Sequence, residues 1–146
     1  MEYREGRIAR TFVLYFSDGD DPLEGIKRVA TEKGIRVAWF FLLGGLRQAG
    51  VVTGPERPAI PPTPVWKEFT GDAREIVGLG SILWNDREPL IHVHTAIGRG
   101  DEAVVGCVRR DARTFLVIEA LIMEIEGLEA RRKLDDKSGM FLASFD

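Results

Sequence analysis

The sequence predicts one α+β domain over residues 1–146, built as a mixed, mostly antiparallel sheet with one or two flanking helices. Two observations lead there. One stretch, Asp21 to Gly34, carries helix start and stop signals around an apolar face. Most of the remaining chain is a series of β-branched and aromatic runs bounded by turn-forming residues. At 146 residues, 45% hydrophobic and 29% charged, the chain suffices for one hydrophobic core and is too short for two comfortable ones.

The elements follow in order. Arg10 to Phe16 is aromatic and β-branched and predicts the first strand, with a turn at Ser17 to Asp20. In the helix, Asp21 is placed to cap, Pro22 suits the first helical position, and Glu24 can reach back to the cap amide. Leu23, Ile26, Val29 and Ala30 share one face, Lys27, Arg28 and Lys33 lie off it, and Gly34 is a natural stop. Ile35 to Leu43 is apolar on both faces apart from Arg36, so it predicts a covered central strand ended by Gly44-Gly45. Leu46 to Thr53 predicts a neighbouring strand. Five of the seven prolines lie from Pro55 to Pro64, which marks a loop or a sheet edge.

Trp66 to Phe69, Glu75 to Leu83 and Leu90 to Ile97 predict further strands, the last two joined as an antiparallel hairpin through Asn85 to Pro89. A turn at Gly98 to Glu102 leads into Ala103 to Val108. Thr114 to Ile125 opens with β-branched and aromatic residues and is assigned as a strand, although Glu119, Glu124 and the following Glu126 would also suit a helix. Gly127 closes it, and Met140 to Phe145 predicts a last short strand.

Composition narrows function. No run approaches the roughly 20 consecutive apolar residues of a membrane helix, so no membrane association is expected. The first residues lack the apolar core of a signal peptide, and the single cysteine, Cys107, allows no internal disulfide; both fit a cytoplasmic protein. The net charge of −3 offers little non-specific attraction for nucleic acid. Basic groups at Arg4, Arg7 and Arg10, at Arg109, Arg110 and Arg113, and at Arg131, Arg132 and Lys133 are interleaved with acids and read as a mixed solvated surface. Trp39, Trp66 and Trp84 are scattered and read as packing residues. Ser81 and Ser138 have no histidine partner that spacing justifies. Neither Gly78-Leu79-Gly80 nor Gly98-Arg99-Gly100 has the spacing of a phosphate loop.

One motif carries chemistry. His92 and His94 are the only histidines, and on a strand residues two apart point to the same face. Converging neutral imidazoles are preferred ligands of zinc and other transition metals, but two ligands make an incomplete site. The same spacing also suits two rings hydrogen-bonded on a half-buried face. Pairing Leu90–Ile97 with Ala103–Val108 would bring Cys107 beside one of them and supply a third ligand, with a fourth position open. Against this stands the ordinary behaviour of a free cysteine, a buried and inert thiol.

The order of motifs resembles the plant-and-prokaryote-conserved (PPC) domain, which stands alone in bacteria and archaea and follows AT-hook segments in plant nuclear proteins. The resemblance runs from about Arg10 to Gly139. It rests on Arg10-Thr-Phe-Val-Leu14, on Asp20-Asp-Pro-Leu23 with Lys33-Gly-Ile35, and on Phe41-Leu-Leu-Gly-Gly-Leu46. It continues in Glu75-Ile-Val-Gly-Leu-Gly-Ser-Ile82, in Pro89-Leu-Ile-His-Val-His94, and in Gly98, Val104-Val-Gly106 and Glu119. The family's prokaryotic members usually carry Gly-Gly-His after the paired valines, and that histidine joins the His-x-His pair at a metal. Here Gly106 is followed by Cys107, which falls at the histidine's place and favours a softer metal.

The resemblance implies a homotrimer with sheets packed around a threefold axis, and a candidate DNA-binding or regulatory role taken largely from the plant members. No Arg-Gly-Arg-Pro hook is present. It also implies a metal site of His92, His94 and Cys107 holding zinc or another transition metal. The alternative is a zinc-type metal-dependent enzyme or small-molecule binder, similar to acetolactate decarboxylase only in fold, with Glu119 supporting the ligands or acting as general base. A third possibility is a metal that only staples the trimer.

Overall fold

The computed structural model describes residues 1–145 and contains seven strands and one helix among them. They are β1 (Arg7–Ser17), α1 (Pro22–Lys33), β2 (Val37–Pro55), β3 (Pro64–Trp84), β4 (Pro89–Arg99), β5 (Glu102–Glu126), β6 (Ala130–Asp135) and β7 (Met140–Phe145). The second helix allowed for by the sequence is absent among the described residues, and β6 was not foreseen. Every strand pairing is antiparallel, so the sheet is not mixed. Among the described residues, no helix is long and apolar enough to cross a membrane.

Helix α1 forms as its signals dictate. The Asp21 carboxylate accepts from the Leu23 and Glu24 amides at 3.0 and 3.1 Å, and Gly34 closes the helix in the left-handed region at φ 65°. Its apolar stripe buries Ile26 and Ala30 in the core with Phe16, Ile35 and Phe40.

Five strands run in the order β1-β5-β2-β3-β4, and β4 pairs in addition with the first half of β5. The ladder β5–β2–β3–β4 therefore returns to β5 and closes on itself. Closure requires strands long enough to bend. Where the sequence suggested breaks, the chain continues through them: Gly44-Gly45 lies inside β2, residues 70–74 inside β3, and residues 109–113 inside β5. The apolar run ends at Gly44, yet backbone hydrogen bonding persists and the register shifts instead, an irregularity that re-aims a strand without ending it. Gly44 sits at φ 137°, and a Cβ there would stand 2.2 Å from the Val117 carbonyl oxygen. On β5, Asp111 and Leu116 also take positive φ values.

One face of the ladder holds the core, including Phe40, Leu46, Ile82, Ile97, Ile118 and Ile122. The other carries a row through Val13, Leu121, Phe41, Leu79 and His94, with Thr11, Met123, Trp39, Ser81 and His92 beside it. Its large apolar members are open: Phe41 is 47% exposed and Val13 84%. The β6–β7 hairpin forms a separate two-stranded sheet next to this face.

Candidate metal centre

His92 and His94 leave one face of β4 because the strand repeats every two residues. The β3–β4–β5 register places His92 opposite Ser81, and His94 between Leu79 and Cys107. The expected pairing of the two strands thus occurs, and it is His94 that Cys107 faces. Gly106 contributes to this position. A Cβ there would lie 2.5 Å from the Val52 carbonyl oxygen, so only glycine lets β5 run this close to β2 beneath Cys107.

The ligand atoms of His92, His94 and Cys107 all lie within 4.8 Å of one another. The two Nε2 atoms are 3.1 Å apart and the rings meet nearly edge to face, at 82°. Two imidazoles on one tetrahedral ion, each at about 2.0–2.1 Å, would hold their nitrogens roughly 3.3 Å apart. The two imidazole nitrogens are therefore spaced for one shared transition-metal ion, and Cys107 stands near them as a third donor with one position left over.

Electrostatics act on this set in both directions: His92 is held neutral, while burial keeps the Cys107 proton on and two guanidinium charges lie nearby. Burial first, and then the charges of Arg132, His94 and Arg109, hold His92 down at about 4. It is neutral at neutral pH, so a metal meets no proton there. Burial pushes the Cys107 thiol up, opposed by the nearby charge of Arg109, the Val93 amide and the charge of Arg132. A bound metal would displace the thiol proton.

Glu119 does not join this cluster. It is exposed on β5 between Tyr15 and Leu43, and both β2 and β3 lie between it and β4 along the ladder.

The structure adds residues that the sequence reading assigned to surface or packing. Arg132, on β6, donates to Ser81 Oγ at 3.0 Å and to the Phe141 carbonyl at 3.3 Å. Trp39, Ser81, His92 and Arg132 line an open cleft of about 550 Å³ between the ladder and the β6–β7 hairpin. Nothing in the local sequence marks Arg132, because β6 and its docking onto the ladder are tertiary facts.

The model of the Plants and Prokaryotes Conserved (PCC) domain matches residues 3–126, which include all the strands that build this centre. The chain belongs to that family. No curated protein matches the sequence. Among solved structures, a PPC protein of Pyrococcus horikoshii superposes with a TM-score of 0.82 at 23% identity, covering 99% of this chain and 97% of that one. A protein of Archaeoglobus fulgidus described as metal-containing gives 0.83 at 24% identity, with 97% and 98% covered. A candidate DNA-binding protein of Ralstonia eutropha gives 0.72 at 17% identity, with 92% and 90% covered. At these identities the likeness is one of fold. In this PCC-domain chain, the third member of the His-x-His cluster is a cysteine.

Proposed function

We propose that this PCC-domain protein is a metal-binding regulatory module that works as a homotrimer. The convergence of His92, His94 and Cys107 carries the metal reading, with zinc the ion that the donor set favours. The residues would hold the ion in a His₂Cys set, and when bound it would supply Lewis acidity at the remaining position. The fold relative described as metal-containing agrees with this.

The trimer reading is supported by the uncovered ladder face. Phe41, Leu43, Val77 and Leu79 form contiguous apolar rows there, and exposed apolar patches of this kind mark association surfaces. Zinc analysis of protein purified without chelator, with light scattering before and after chelation, tests both parts. About one zinc per chain and a threefold mass are expected. Metal-free protein would end the first part, and a monomer the second.

A second reading, DNA binding, is favoured by fold relatives described as candidate DNA-binding proteins. Titrating a DNA duplex at falling salt tests it, since phosphate contacts weaken steeply as salt rises. Negligible affinity at low salt would remove it.

A further inference from the structure

The cleft beside His92 is amphipathic. Trp39, Leu83, Leu128 and Phe145 give it apolar walls, while Ser81 and Arg132 stand with His92 at its polar side. Its volume of about 550 Å³ suits a small molecule and not a duplex.

Arg132 is the unusual wall residue. Several arginines of the ladder are neutralised: Arg7 pairs with Glu126, Arg10 with Glu124, Arg110 with Glu68 and Arg113 with Asp21. Arg132 has no carboxylate partner among the described residues, and its Nε is buried without a hydrogen bond. Arg109 also lacks an ion pair among them, and it lies close enough to Arg132 for the two charges to repel. A half-buried guanidinium beside a second cation and an apolar wall, with the Cys107 thiol as its one acidic neighbour, lacks a carboxylate or phosphate partner.

We propose that this cleft binds a small molecule bearing one acid group, carboxylate or phosphate, on an apolar body. The acid group meets Arg132 and Ser81, and the body lies along Trp39 and Phe145. Since Arg132 and Ser81 are not metal ligands, the proposal does not depend on the metal reading.

The test is calorimetric titration of the full chain with benzoate, phenyl phosphate and inorganic phosphate. Saturable binding of benzoate or phenyl phosphate is expected, and the stronger of the two identifies the acid. Arg132→Gln should weaken it about tenfold or more while zinc content and unfolding temperature hold. Ala143→Trp, which narrows the cleft from its β7 wall, should weaken phenyl phosphate and spare inorganic phosphate. The proposal is overturned if neither benzoate nor phenyl phosphate saturates, if Arg132→Gln binds as well as the parent, or if Ala143→Trp changes nothing. A DNA duplex whose binding needs Arg132 but ignores Ala143→Trp would also overturn it, assigning the arginine to a nucleic-acid surface. Phenyl phosphate binding to protein that takes up no zinc would defeat the metal reading alone.

Discussion

His94 stands directly across the β4–β5 ladder from Cys107, so one antiparallel register sets both the distance and the facing of two of the three candidate ligands. His92 follows from the period of the strand. The centre thus rests on ordinary sheet geometry and needs no special loop.

Removing a ligand should remove the metal. His94→Ala and Cys107→Ser are expected to lower zinc affinity by more than about 100-fold, beyond the usual effect of losing an outer partner. Competition with a chromophoric chelator measures this. Circular dichroism should show the strands intact, because the ladder does not depend on these side chains.

Zinc uptake should release a proton from Cys107. Its thiol is held above its ordinary value, whereas His92 is already neutral, so at neutral pH the proton comes from the sulfur. Calorimetry in buffers of different ionisation enthalpy reads the number released. Cys107→Ser should abolish that release.

The metal-free protein should weaken on mild acidification. His92 takes its proton at about 4 in the folded chain, against 6.5 ordinarily, so between those values the unfolded chain binds more protons. Stability is therefore undiminished above pH 6.5 and falls progressively as pH drops toward 4. Urea unfolding across that window should show a slope that His92→Gln flattens.

Glu124 should act at lower pH. Its hydrogen bonds from Arg10, at 2.5 and 2.8 Å, hold its carboxyl below the ordinary value of 4.5. The folded pKa is the lower one, so this stabilisation is present above the unfolded value and lost as pH falls through the folded one. Glu124→Gln should remove that part of the acid limb and leave the His92 window unchanged.

Gly80 should resist any side chain. A Cβ there would stand 2.2 Å from the Phe40 ring, which is fully buried. Gly80→Ala is expected to cost about 1–3 kcal/mol by overpacking. Adding Phe40→Leu should recover part of it, and a denaturant double-mutant cycle measures the coupling.

Much of this was legible in the chain. The helix from Pro22 to Lys33 was readable because capping and periodicity act within a few residues. The strand assignment of Thr114 to Ile125 holds despite its glutamates, since Glu124 finds Arg10 across the β1–β5 pair. The apparent breaks at residues 44–45, 70–74 and 109–113 misled because turn chemistry and a bulge inside a long strand use similar residues. Local composition cannot say whether a partner strand continues past the irregularity.

For the site, the sequence by itself determined that two imidazoles share a face, because a period of two is a property of any strand. It also made Cys107 available one hairpin away. Only the tertiary structure decided that Cys107 faces His94, since register depends on how a whole ladder closes. It alone set two strands between Glu119 and the histidines and brought Arg132 to Ser81, through the docking of a hairpin that no local pattern encodes. Ligand types are chemistry written residue by residue, whereas their convergence is set by contacts between segments distant in the chain.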